Sequence, residues 1–332
     1  MSMRKLRVVQ VGLEHDHAYG PLEALPHFPE YFEMIGVIET NETLIDTLKS
    51  RFPENFPPVI TWEKAFEAKP DAFIIETEEL SLVSNAIRAL EAGYHVYVDK
   101  PGSEDCAEFH RMCDIAKSKK LVLCMGYMYR YNPAVVHAKE LMRDGKLGEI
   151  FSVEAQMSVR HENSKRNWLK RFRGGMMYFL GCHLIDLVVS FCGFPDEVIP
   201  LNTNTGIDGN DSVDYGFAVY KYKNGVSFVK TCATEINGYD RRQLVINGSL
   251  GTVEIKPFEI NMQNGMLKTA ARETLHNDTP WLKGSTELEY PEYYRYDEMM
   301  KSFAEYVCGE KENPYTYDYE AKLHDLIMQS CK

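Results

Sequence analysis

Asp99-Lys100-Pro101 sets a carboxylate, an ammonium and a chain-stopping proline side by side after the apolar run His95 to Val98. Val96 and Val98 are β-branched, and Pro101 has no amide hydrogen to give a ladder, so the run reads as a strand with Lys100 at its carboxyl end. In an open parallel sheet that edge is where ligands bind. The plain alternative is a surface Asp-Lys pair. A second group is Gly174-Gly175, Gly181-Cys182-His183 and Asp186. At i and i+3 of one helix, His183 and Asp186 share a face, and the carboxylate can fix the imidazole tautomer. The alternative there is an ordinary core histidine. A third group is Gly12, which closes the run Leu6 to Val11, and Glu39, which closes Met34 to Ile38. An acid at the end of a second strand is placed to accept hydrogen bonds from a ribose diol and to repel a 2′-phosphate, which favours NAD over NADP.

The elements that must position these residues follow from periodicity. Strand, glycine turn and helix open the chain, with Pro21 near the helix start. Helices are expected over Thr43 to Arg51 and Trp62 to Ala68, with Val59-Ile60 a short strand between them. The strand Asp71 to Ile75, the helix Leu80 to Ala92 stopped by Gly93, the Lys100 strand, the helix Glu104 to Lys117 and the strand Leu121 to Met125 come next. Such alternation predicts a doubly wound parallel α/β sheet, a dinucleotide-binding domain over residues 1–125. Beyond Gly126 come a helix Asn132 to Asp144 and a strand Ile150 to Val159. A loop to Arg173 then leads into the apolar helix Met176 to Phe191. Strands follow at Val213 to Tyr222, Val226 to Thr234, Gln243 to Ile246 and Thr252 to Ile255, with turns at Asn224-Gly225, Asn237-Gly238 and Asn247-Gly248. Residues 126–332 therefore read as a substrate-binding and oligomerisation domain of α+β type with a large, mainly antiparallel open sheet. Helices Tyr293 to Cys308 and Tyr319 to Ser330 are expected to close the chain onto it.

Composition narrows the function classes. With 332 residues, 44% hydrophobic and 26% charged, the chain is an ordinary globular protein of two domains. A formal net charge of −12 excludes nucleic acid and anionic membrane as favoured partners. Lys165 to Arg173 is the one basic stretch, and it reads as a solvated loop anchored by Trp168. The eight cysteines include no C-x-x-C pair, which points to reduced thiols and the cytoplasm. Met1 to Leu13 runs from a basic start straight into a strand, so no secretory signal is expected, and no stretch is long enough to span a membrane. His15 and His17 alternate and could grip a cation in an extended loop, but no spaced set such as H-E-x-x-H accompanies them, and no metal is expected.

Four motifs in order resemble the Gfo/Idh/MocA family, named for glucose-fructose oxidoreductase and inositol dehydrogenase. Asp99-Lys100-Pro101 is similar to its E-K-P, and Gly126 to Pro133 (G-Y-M-Y-R-Y-N-P) to its G-x-x-x-R-x-x-P. Gly145 to Ile150 (G-K-L-G-E-I) resembles the turn that enters the second domain, and Asn247 to Thr252 (N-G-S-L-G-T) a late G-t-x-G-t turn. The resemblance covers nearly the whole chain. It implies hydride transfer between a nicotinamide and a CH–OH carbon of a sugar, inositol or related polyol, across a cleft between the domains. By that analogy Lys100 hydrogen-bonds the reacting hydroxyl, and His183, with an ordinary pKa near 6.5, is the general acid or base. Asp186 orients it or binds a hydroxyl, and Tyr127, Arg130, Trp168 and Tyr178 join it around the sugar. Gly12, Leu13, Glu14, His15, Glu39, Thr77, Asp99, Lys100 and Pro101 surround the cofactor. A homodimer or homotetramer through the C-terminal sheet is implied as well.

The chain departs from the family pattern in three places. Gly12-Leu13-Glu14-His15-Asp16-His17 keeps only the first glycine of G-x-G-x-x-G, and Glu14 stands where a glycine normally lets backbone approach the pyrophosphate. A carboxylate about 4 Å from a phosphate would cost about 4 kcal/mol at an effective dielectric near 20, roughly a thousandfold in affinity. Glu76-Thr77-Glu78-Glu79 replaces a T-P-x-x-x-H type of loop, and Phe179 stands where the family places an Asp one turn before the histidine. These departures leave two alternatives to the dehydrogenase: a non-catalytic relative that binds a sugar-like ligand or a protein partner, and a metal-dependent hydrolase or lyase built on Glu14, His15, Asp16, His17 and His183.

Overall fold

The computed structural model describes residues 5–276 and 284–332. The first four residues of the Met1 to Leu13 reading therefore lie outside the described residues. Two compact units emerge, one made of residues up to 127 together with 296–324, the other of 128–295 with 325–332.

In the first unit five strands, β1 (Leu6–Val11), β2 (Phe32–Ile38), β3 (Ala72–Ile75), β4 (His95–Val98) and β5 (Leu123–Met125), pair in parallel in the order β2-β1-β3-β4-β5. Helices α1 (Tyr19–Ala24), α2 (Glu42–Arg51), α3 (Trp62–Ala68), α4 (Leu82–Glu91) and α5 (Cys106–Lys119) connect them. All four residues of β3 are buried, as expected of a strand covered on both faces. Local capping explains the helix starts: Asn41, Thr61 and Asp105 each accept a backbone N–H of the first turn through the side chain. Val59-Ile60 is not a strand. Only Val59 bridges to Val37, because Pro57 and Pro58 precede it and bring no amide hydrogens to a ladder.

In the second unit, α6 (Pro133–Arg143), capped by the Asn132 side chain, leads into β6 (Ile150–Ser158). The expected loop to Arg173 contains a short helix, α7 (Asn163–Leu169). Its Arg166 is buried against Asp214 and Asp208, so the basic stretch is partly an interior ion-pair site rather than a solvated patch. The apolar helix opens with a π turn, Met177–Gly181, and continues as α8 (Cys182–Cys192). Then come β7 (Glu197–Pro200), β8 (Tyr215–Tyr222), β9 (Gly225–Cys232), β10 (Gln243–Gly248), β11 (Gly251–Ile255), the small pair β12 (Ile260–Asn261) and β13 (Leu267–Lys268), β14 (Ala270–Leu275) and β15 (Ser285–Glu289). Eight of these form one sheet in the order β15-β14-β11-β10-β6-β9-β8-β7. All its pairings are antiparallel except β6 with β9. Helix α8 packs on β6 and β9 and buries nearly every side chain it has. Strands β7, β14 and β15 escaped the sequence reading because β7 is only four residues long and ends in proline, while β14 is mostly half-buried, β15 is largely exposed and both carry charges, so no clear alternation marks them.

The chain ends with α9 (Asp297–Cys308) and α10 (Tyr317–Ser330), of which α10 is the longer. Both were expected on the second domain. Instead α9 belongs with the first unit, where Tyr97 lies edge-on to Phe303 at 6.1 Å and His27 hydrogen-bonds Asp297 at 2.9 Å. The boundary drawn at residue 125 takes no account of this return.

Candidate active site

The carboxyl ends of β1 to β4 bring together most of the residues singled out for a cofactor. Gly12 has φ of 83°, and a Cβ there would lie 2.6 Å from the Thr77 Cα, so only glycine lets the first turn press against the loop after β3. Glu39, at the end of β2, is held by three backbone donors. Its Oε2 accepts from the Leu13 N–H at 3.0 Å, and its Oε1 from Thr40 and Asn41 at 2.7 and 2.8 Å. Glu14 is exposed, and its Oε2 accepts from the Glu78 N–H at 3.3 Å. Partial burial, then Glu39 and Glu78, push its carboxyl above the ordinary range.

Beneath that turn lies a buried ionisable cluster. Asp99 and Lys100 are 0% and 1% exposed, which excludes the surface-pair reading. Asp99 Oδ1 accepts the Lys100 N–H at 2.6 Å, while Oδ2 sits 3.2 Å from His15 Nδ1 and 3.0 Å from His17 Nδ1. Gly126 makes room for this carboxylate, since a Cβ there would meet Asp99 Oδ1 at 2.5 Å. Glu76 and Glu79 join from the acidic loop; His15 Nδ1 is 3.5 Å from Glu76 and its Nε2 3.7 Å from Glu79. The acidic loop Glu76-Thr77-Glu78-Glu79 thus turns two of its acids, Glu76 and Glu79, inward. Burial and then the Asp99 charge raise the Glu76 carboxyl well above its ordinary value. Burial opposes ionisation of Asp99 too, but the two histidines outweigh it and hold Asp99 well below the carboxylate range. Burial lowers His17 to about 4 against the pull of Asp99, so its ring is neutral near pH 7. Pro101, next in the chain, is buried as well.

The second unit places its candidates differently from the expectation. His183 is 1% exposed on α8, and its ring meets Tyr129 edge-on at 4.8 Å. Asp186 is engaged by Arg130, which donates from Nε at 3.0 Å to both carboxylate oxygens and from Nη2 at 2.7 Å to Oδ1. Both are buried, so the two proposed sugar ligands satisfy each other. Trp168 stacks edge-on with Phe179 at 5.3 Å, and Lys165 Nζ covers its ring at 3.5 Å. Tyr178 is buried and stacks on Phe172 at 5.5 Å. Tyr127, in the first unit, is buried as well.

Sequence reasoning missed a network around Tyr129. Its hydroxyl donates to Glu259 Oε1 at 2.9 Å, and Arg242 Nη1 reaches Glu259 at 2.6 Å. Arg295 binds the other oxygen at 2.9 Å. Burial opposes ionisation of Glu259, but Arg295 and Arg242 outweigh it and keep the carboxyl below its ordinary range. These residues are scattered over the chain, and no local spacing signals them. Arg130 of the G-x-x-x-R-x-x-P motif and Asp186 on the apolar helix were hints of buried charge in this unit.

Comparison with known proteins is consistent with this geometry. Residues 7–127 match the profile of an oxidoreductase family with an NAD-binding Rossmann fold, and residues 135–254 match the GFO/IDH/MocA C-terminal domain. An uncharacterized oxidoreductase of Schizosaccharomyces pombe is 32% identical over 206 residues, 60% of this chain and 54% of that protein. The scyllo-inositol 2-dehydrogenase (NADP(+)) IolW of Bacillus subtilis is 23% identical over 64% of this chain and 58% of its own. The chain thus matches only about half the length of such relatives. Among solved structures, a levoglucosan dehydrogenase in complex with NADH and levoglucosan superposes with a TM-score of 0.79 at 18% identity, covering 99% of this chain and 97% of that one. Two matched domains in the expected order, on the expected sheets, make the chain a member of the GFO/IDH/MocA oxidoreductase family.

Proposed function

We propose that the protein is a dehydrogenase that moves a hydride between NAD and a CH–OH carbon of a sugar, inositol or related polyol. The observation that carries this reading is the buried Lys100 ammonium at the carboxyl end of β4, on the sheet edge where ligands of such folds bind. The residues present fit a dinucleotide. Gly12 leaves its turn free of a Cβ, and Glu39 is locked at the end of β2 with one carboxylate lone pair, on Oε2, to spare for a ribose hydroxyl. Its negative charge would oppose a 2′-phosphate, which favours NAD over NADP.

When bound, the nicotinamide accepts or returns the hydride. The protein's own part is to hold the hydroxyl and to manage its proton. Lys100 donates a hydrogen bond to the oxygen and favours its alkoxide form, and His183 takes the proton on oxidation and returns it on reduction. The same family membership supports a homodimer or homotetramer through the face of the large sheet away from α8. Phe217 and Phe228 stack at 5.6 Å there and stay half-buried. All eight cysteines are free thiols, which suits a cytoplasmic protein. Among the described residues no helix is long and apolar enough to cross a membrane.

Titration of the purified protein with NADH, followed by nicotinamide fluorescence, tests the reading. Micromolar binding that weakens in Glu39→Ala, and weaker binding of NADPH, supports it and directs a polyol screen. Absence of binding up to millimolar NADH and NADPH removes it in favour of a non-catalytic relative.

A further inference from the structure

We propose that His15, His17 and Asp99, with Glu76 beside them, form a binding site for one divalent first-row transition-metal ion. The site does not depend on the dehydrogenase reading, because its ligands are brought together by the apoprotein fold alone. One ligand atom from each of His15, His17 and Asp99 lies within 4.8 Å of the others. Two ligands bound at about 2.1 Å and about 90° apart are about 3.0 Å from each other. The observed separations from Asp99 Oδ2 are 3.0 Å to His17 Nδ1 and 3.2 Å to His15 Nδ1. The two imidazole rings lie 4.9 Å apart, and the His17 N–H that now donates to His15 Nδ1 at 3.2 Å would have to release that lone pair to the ion.

Two observations independent of that clustering point to a cation. The Glu76 carboxyl is fully buried against the Asp99 carboxylate, to which it hydrogen-bonds, and its Oε2 faces the cluster 3.5 Å from His15 Nδ1. Such a pair is costly to ionise fully unless something positive meets it. His15 Nε2 is buried without a hydrogen-bond partner and lies 3.7 Å from Glu79 Oε1. A carboxylate behind the distal nitrogen is the arrangement that orients a metal-bound imidazole. Two imidazoles with carboxylate oxygens select Zn²⁺, Fe²⁺ or Co²⁺ over Ca²⁺ and Mg²⁺. The His17 side chain, 17% exposed, leaves an entry path.

The test uses the full chain, stripped with a chelator and titrated with Zn²⁺ by calorimetry and with Co²⁺ by visible absorption, without nucleotide. The expected result is one ion per chain with Kd below about 100 μM. In His17→Ala and His17→Asn binding should weaken by at least about tenfold and the Co²⁺ bands should change, while His110→Ala on α5 should bind as the wild type does. Circular dichroism checks that at least one His17 variant is folded. A Kd weaker than that limit in the wild type, or wild-type affinity in a folded His17 variant, overturns the site. Because NADH is absent, failure here leaves the dehydrogenase reading standing, and failure of NADH binding leaves this site standing.

Discussion

Asp186→Asn separates a structural from a substrate-binding role for this residue. The carboxylate receives three hydrogen bonds from Arg130, and the two side chains are 1% and 4% exposed as residues. An asparagine keeps one acceptor oxygen but loses the charge, leaving a guanidinium buried against an amide. Lys139 lies close enough for the change to matter: burial already lowers it to about 8, and Asp186 is the charge that resists this. Removing one partner of a buried pair costs about 3–5 kcal/mol. The retained acceptor places the expected loss near the lower end, about 3 kcal/mol. Urea unfolding followed by circular dichroism measures it, and the double variant Arg130→Met with Asp186→Leu supplies the control. With both charges gone the double variant should regain most of the stability that the single change loses. If Asp186→Asn changes stability by less than about 0.5 kcal/mol and instead raises KM for a polyol, Asp186 serves substrate and the reasoning from the ion pair is wrong.

Other perturbations probe the first unit and the linkage to pH. Lys100→Met should lower turnover by at least about a thousandfold, and it should also destabilise the fold, because Glu76 and Glu79 then lose a nearby positive charge; unchanged turnover would remove the proposed role. Gly12→Ala forces a Cβ to 2.6 Å from Thr77 at φ of 83°. It should cost about 1–3 kcal/mol and abolish NADH binding, whereas wild-type affinity would show that the turn does not face the cofactor. Lys139 is lowered in the folded state, so between about pH 8 and its ordinary pKa the unfolded chain holds more protons and stability should rise with pH. After discounting for partial exposure the gain is about 2 kcal/mol. Lys139→Met should flatten this part of the stability profile, measured by urea unfolding at pH 7.5 and 10; an identical slope in the variant would refute the assignment.

Much of the fold was legible because its signals are local. Trp62 to Ala68 and His95 to Val98 carry their limits in capping residues, β-branching and prolines, and both appear as read. Val59-Ile60 failed because two prolines cut the ladder, and β14 and β15 because their residues are half-exposed and charged. Lys100, Asp99, Glu39 and Gly12 were found from their place at strand ends. The partners that decide their chemistry were not, since Asp99 meets His15 and His17 only through a parallel sheet that joins distant segments. Arg130 and Asp186 were read as sugar ligands by residue type, and their pairing across 56 residues of sequence gave no local signal.

The return of residues 296–324 to the first unit ties the order of synthesis to the order of folding. A ribosome would release β1 to β5 long before Tyr296 and α9 exist, so Tyr97 would wait without Phe303 and Gly20 without the Tyr296 ring that packs on it. The nascent nucleotide-binding unit is therefore an incomplete intermediate with apolar surface uncovered until nearly the whole chain has emerged. A fragment ending at residue 127 should behave as that intermediate does, prone to aggregate and open to proteases. Supplying the missing helix as a separate peptide would be a direct way to complete it.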